Sequence, residues 1–198
     1  VTDSLPPRVR RVVVLDGPIG VGKTSLARRL ADAFGSELVE ELPDANPFLE
    51  RFYSDPTRAA LPTQLQFLVS RYRQQRALAG AKEGRGVVAD YLFAKDRIFA
   101  EMNLDGPELD LYREVLALMT DPIPTPDLVI YLEARPEVLQ RRLRKRNREF
   151  ERRINEAYLE DLIESYRRFF HEYSEAPVLI VNCSDIDFVE QGSDLEDL

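Results

Sequence analysis

Apolar residues along the chain fall into short, nearly unbroken runs separated by longer stretches with a helical repeat. The runs lie at residues 12–15, 37–41, 87–89, 128–132 and 178–181. Runs of this kind fit strands buried on both faces of a parallel sheet. Between them, apolar positions recur every three or four residues at 24–30, 63–82, 110–119, 136–146 and 154–173. Strand and helix in regular alternation predict an α/β fold, a five-stranded parallel sheet flanked by helices. Pro122, Pro124 and Pro126 punctuate the entry to the fourth strand. No repeat or low-complexity linker divides the 198 residues, which fit a single domain spanning 1–198 at roughly 100–200 residues per domain. The tail, 185–198, carries six acids and no base and reads as a frayed end or a short surface helix.

Charge changes this picture in one respect. The net charge is −8, whereas a protein that coats nucleic acid or an anionic membrane is usually basic, so neither is expected as a partner. Yet 23 of the 27 basic residues are Arg, a skew that suggests particular uses for them. No apolar run approaches the ~18 residues of a membrane helix, and residues 1–11 lack the apolar segment of ~7–15 residues that marks a secretory signal. With Cys183 as its one cysteine, the chain forms no internal disulfide, and a reduced, cytoplasmic setting is expected. His171 is the one histidine. Zinc sites of the usual N/S type and a Ser-His-Asp arrangement are therefore not expected, and Cys183 reads as a small buried residue.

The firmest chemistry lies just after the first run. Gly17-Pro18-Ile19-Gly20-Val21-Gly22-Lys23-Thr24, followed by Ser25, matches G-x-x-x-x-G-K-[ST] between a β-branched strand and a helical pattern. Glycines let the backbone fold tightly, so that successive N–H groups point at phosphate oxygens, and the following helix adds its positive end. Lys23 is placed to reach the β and γ phosphates and Thr24 to hold Mg²⁺. Binding of ATP, or another nucleoside triphosphate, with Mg²⁺ follows. GTPases, motors and small-molecule kinases all share this loop, so the rest of the chain must decide among them.

Two further clusters bear on that choice. Glu40 and Glu41 close the second run, at the strand end where α/β proteins bind ligands; either could accept a proton from a hydroxyl. Eight basic residues crowd into 141–153 against two acids, Glu149 and Glu151. Such a run can be a solvated face, a nucleic-acid patch or a phosphate clamp. Pro136 suits the first helical turn, Leu139 and Leu143 share an inward face, and Arg142 and Arg146 share another. Arg148 falls beyond the helix, as in a lid that closes over a triphosphate.

From about residue 12 to 188 the chain resembles the deoxynucleoside kinase family, especially its bacterial deoxyadenosine/deoxyguanosine kinase-like members. The motifs are G-P-I-G-V-G-K-T-S, E-(x)4-N-P-F-L-x-x-F-Y-x-D-P, Q-(x)6-R, D-Y-x-F-x-K-D-R-I-F-A and L-x-x-R-L-x-x-R-N-R-x-x-E. The resemblance implies a P-loop kinase that phosphorylates the 5′-hydroxyl of a deoxynucleoside (deoxyadenosine, deoxyguanosine or deoxycytidine) with ATP and Mg²⁺, and a homodimer. It makes Glu41 the general base, with Glu40 its rival. Tyr53 and Glu151 become partners of the sugar 3′-hydroxyl, and Gln64 the amide that reads the base. Arg71 and Asp96 become a charged pair at the base pocket, with Arg97 able to share the Asp96 task, and Phe99 a stacking ring. Asp90 joins Thr24 at the Mg²⁺ shell, and Arg142, Arg146 and Arg148 become lid residues. Two positions depart from the family. Tyr91 stands where an Arg orients the base carboxylate, which leaves open what orients Glu41. Asn147 stands where many relatives have Gly, a residue type that also tolerates left-handed backbone. Two other readings remain: a nucleoside monophosphate kinase resembling thymidylate kinase, and a nucleotide-switched regulatory protein.

Overall fold

A computed structural model describes residues 11–80 and 85–186. Five parallel strands, β1 Val12–Asp16, β2 Glu37–Val39, β3 Val87–Ala89, β4 Leu128–Glu133 and β5 Val178–Asn182, form one sheet in the order β2-β3-β1-β4-β5. Helix α1, Lys23–Phe34, follows β1. Helices α2, Leu49–Ser54, and α3, Pro56–Gly80, follow β2. Helices α4, Lys95–Asn103, and α5, Gly106–Ala117, follow β3. Helices α6, Pro136–Arg146, and α7, Glu156–Glu172, follow β4. The expected α/β architecture is the one observed.

Side chains alternate across a strand, and here they supply both layers of the core. Leu15, Ile130 and Leu132 pack on one face with Leu26 and Ala27 of α1 and Leu139 and Leu143 of α6. Val14, Val129 and Tyr131 face the other way, onto Ile98 of α4 and Tyr166, Phe169 and Phe170 of α7. Each fully buried side chain of this kind contributes roughly 1.5–3 kcal/mol relative to exposure. Burial on both faces does not extend to the edge strand β5, where, among the described residues, Leu179 and Ile180 are left exposed.

Several elements differ from the pattern. Strand β2 stops at Val39, two residues short of the apolar run. The Asp90 carboxylate takes the Glu41 N–H at 2.6 Å, which draws the chain out of the ladder. Helix α3 begins at Pro56, not residue 63, and runs through Pro62. A proline inside a helix removes one hydrogen bond, but Ala59 and Ala60 before it pack against Leu49 and Phe52 of α2. Helix α2 is too short to show a period, and α4 buries Lys95 and Asp96 beside Ile98 and Ala100, so its inner face is not an apolar stripe. Helix α6 has the expected bounds, with Pro136 in its first turn. Asn147 ends it in the left-handed region at φ 54° and donates its N–H to the Leu143 carbonyl. His171 is exposed. Cys183 is fully buried, which pushes its thiol up to about 12. Residues 81–82, read as the end of a helix, and 187–198 of the acidic tail lie outside the described residues. Among the described residues no helix is long and apolar enough to cross a membrane.

The order of the sheet puts the end of β1 between the ends of β3 and β4. Gly17 leaves β1 at φ 147°, and a Cβ there would overlap the Leu132 carbonyl oxygen of β4. Substituting Gly17→Ala is expected to force the loop off β4. Thermal unfolding should show a loss of about 2 kcal/mol or more, roughly 4–8 °C in Tm.

Candidate active site

A cavity of about 480 Å³ opens at the carboxyl edge of the sheet. Ile19, Gly20, Lys23 and Thr24 of the phosphate loop line it, together with Glu41, Tyr53, Gln64 and Phe99. Arg146, Arg148 and Glu151 line it as well.

The loop has the backbone its sequence requires. Gly20 and Gly22 adopt φ 84° and 110°, left-handed values that other residues rarely take. Gly22 caps α1, and Lys23, Thr24 and Ser25 form its first turn. The Lys23 ammonium donates to the carbonyls of Gly17, at 2.7 Å, and Pro18, at 3.2 Å, which folds it over the loop. Burial, then the charge of Lys95, lowers its pKa to about 8. The Thr24 hydroxyl donates to Asp90 Oδ2 at 2.5 Å. A hydroxyl and a carboxylate side by side make an oxygen-only donor set of the kind Mg²⁺ prefers.

The loop is also anchored from beneath by Asp16, a buried carboxylate that accepts the N–H of Gly17 at 2.7 Å, the N–H of Leu92 at 3.0 Å and the Tyr166 hydroxyl at 3.0 Å. Burial raises its pKa despite the nearby Lys95 and Lys23. Nothing in the pattern marked Asp16, since it reads as a polar end to an apolar strand.

Across the cavity, Glu41 meets two cations. Arg71 of α3 donates Nε at 3.0 Å, and also Nη2, to Oε1. Lys95 of α4 donates Nζ to Oε2 at 2.6 Å. Arg71 also pairs with Asp96, so Asp96, Arg71, Glu41 and Lys95 alternate in sign and balance to zero. Burial alone would raise the Glu41 pKa, but Arg71 and then Lys95 hold it well below the usual carboxylate range. Burial pushes Asp96 up to about 6 against the opposing pull of Arg71. The Glu41 side chain remains 16% exposed, enough to leave an edge on the cavity. Glu40 pairs instead with the exposed Arg28, and both also line the cavity.

The other residues read from the sequence divide. Tyr53 lines the cavity, T-shaped against Phe52, and burial raises its phenol. Gln64 lines it with Oε1 buried and without a hydrogen-bond partner. Phe99 lines it edge-on to Tyr166. Asp96 lies behind Arg71 and lines a second cavity, while Arg97 points outward to Glu101. Glu151 is buried and paired with Arg146 and, at 3.9 Å, Arg148. Arg148 reaches Asp44 of the facing loop at 3.3 Å. Arg142 does not line the cavity. Its guanidinium binds the carbonyls of Val21, at 3.1 Å, and Cys183, at 2.9 Å, and also that of Ile186, because four residues before Arg146 its side chain points back onto the loop. Sequence reasoning gave no role to Lys95, although it is one of only four lysines in an Arg-rich chain.

A phosphate loop and a half-buried, ionised carboxylate on one cavity, on this sheet order, define a P-loop kinase. The model of the family "Deoxynucleoside kinase" matches residues 13–198, and the chain belongs to that family of enzymes, which phosphorylate deoxynucleosides to monophosphates. It is 37% identical to the deoxyguanosine kinase of Bacillus subtilis (strain 168), over 93% of this chain and 92% of the relative. It is 31% identical to the deoxyadenosine/deoxycytidine kinase of the same organism, over 94% and 89%. A solved deoxyadenosine kinase from M. mycoides superposes with a TM-score of 0.80 at 22% identity, covering 93% of this chain and 95% of that one, a likeness of fold.

The two arginine environments predict different stabilities. Arg142→Ala strips a charged donor from buried carbonyls and should cost about 2 kcal/mol, roughly 4–8 °C in Tm. Arg148→Ala removes a partly exposed pair and should leave Tm within about 2 °C, measured by the same thermal unfolding.

Proposed function

We propose that the protein transfers the γ-phosphoryl group of ATP to the 5′-hydroxyl of a deoxynucleoside, with deoxyguanosine the first substrate to test. The observation that carries this reading is the position of Glu41, charged and half-buried, in one cavity with Lys23 of the phosphate loop and Gln64. Glu41 accepts the hydroxyl proton as the oxygen attacks phosphorus in line. Lys23 and the loop N–H groups hold the phosphates, and Arg146 and Arg148 supply donors where charge spreads over the phosphoryl oxygens. Thr24 and Asp90 hold Mg²⁺, which when bound neutralises phosphate charge. Tyr53 and Glu151 receive the sugar 3′-hydroxyl, and the free Gln64 Oε1 accepts from a donor on the base edge. Arg71 is committed to two carboxylates and offers nothing to an anionic acceptor. That favours a neutral nucleoside over the nucleoside monophosphate of a thymidylate kinase-like enzyme. Leu111 and Leu118, exposed on and just after α5, support the homodimer that the family resemblance implies. A single cysteine fits a reduced, cytoplasmic setting.

The test is a panel of kcat/KM values for the four deoxynucleosides, their ribose counterparts and their monophosphates. Turnover should appear with deoxynucleosides and not with monophosphates. Glu41→Gln should lower kcat by about 10²–10⁴-fold while deoxynucleoside binding, read by calorimetry, changes little; near-normal kcat would remove Glu41 from the role of base.

A further inference from the structure

A general base has to present one lone pair to the hydroxyl, and a carboxylate has about four lone-pair positions over two oxygens. In Glu41 these are not equivalent. Oε1 receives two donors, both from Arg71, and is filled. Oε2 receives one, from Lys95, and keeps a free position. The reacting oxygen is therefore the one that Lys95 holds. No arginine follows Asp90 in this chain. Tyr91 takes that position, fully buried, and spends its hydroxyl on Gln74 at 2.9 Å and Gln75 at 3.2 Å.

We infer that Lys95 is a positioning residue for Glu41, fixing the rotation of the carboxylate so that Oε2 faces the cavity. Its own position is tightly set. The side chain is 3% exposed, and its ammonium sits 5.8 Å from the Tyr91 ring centre and 5.9 Å from that of Phe99. The next residue, Asp96, holds Arg71, so the first turn of α4 places both cations that grip Glu41. Lysine has a compact charge with three rotatable donors, so a single contact to Oε2 leaves the rest of that oxygen open.

This inference rests on Glu41 acting as the base, and the test separates the two. Lys95→Met should lower kcat with deoxyguanosine by about 10–100-fold, the scale of a misplaced catalytic group, with KM for the nucleoside and for ATP within about threefold. Lys95→Arg should recover most of the loss. In a Glu41→Gln background the same Lys95→Met change should alter kcat by less than about twofold, since a residue that acts through Glu41 has nothing left to act on. The inference is overturned if Lys95→Met keeps kcat within threefold of the parent, if Lys95→Arg is as impaired as Lys95→Met, or if the losses of the two sites multiply. Where Lys95→Met alone does not fold, Glu41→Gln against the charge-balanced double variant decides the same point. An active Glu41→Gln removes both readings, whereas an inactive Glu41→Gln beside an active Lys95→Met removes only the one for Lys95.

Discussion

A carboxylate buried beside a substrate cavity keeps its charge only where cations meet it, because burial by itself favours the neutral form. Glu41 meets this constraint through Arg71 and Lys95, and much of the surrounding structure exists to put those two groups there. Arg71 is long enough to span from α3 to both Glu41 and Asp96. Asp96 in turn balances it, so neither cation is left unpaired in the interior. Removing one member of such a set leaves an uncompensated charge, which is why buried pairs are costly to break even where they contribute little net stability.

The sheet supplies the frame. Because β1 lies between β3 and β4, three strand ends converge where the phosphate loop begins. Asp16, at the end of β1, joins that loop to the β3–α4 turn and to Tyr166 of α7. Asp90, just past β3, holds the Glu41 backbone with one oxygen and Thr24 with the other. The phosphate loop and the Glu41 segment are thus joined through one carboxylate. Strand β2 ends early because that bond replaces its ladder, and the early end is what lets Glu41 leave the sheet plane and reach Arg71.

The basic run at 141–153 shows how one composition serves two purposes. Arg142, inside α6, turns back to the loop and closes buried carbonyls, whereas Arg146 and Arg148, at and beyond the helix end, face the cavity. Asn147 makes the division by ending the helix in a left-handed turn. The pattern of charges left several uses open, and the family resemblance assigned all three arginines to the lid. The spacing of Arg142 and Arg146 by four placed them on one face, but a shared face of a helix does not fix where a long side chain ends.

What the sequence by itself determined is local. The phosphate loop, the five strands and the end of α6 at Asn147 depend on backbone freedom and on short-range periodicity, and each could be read from a few neighbouring residues. The family motifs singled out Glu41, Tyr53, Gln64 and Phe99, which the fold gathers around one cavity. What only the tertiary structure decided is long-range electrostatics. Lys95 lies 54 positions from Glu41, Asp16 lies 150 from Tyr166, and Arg142 lies 121 from Val21. The period of an apolar stripe carries no record of such partners, and in α4 the buried charges erase the stripe itself. A charged residue reads from sequence as exposed. Its burial becomes affordable only once folding brings its counter-charge within hydrogen-bond distance.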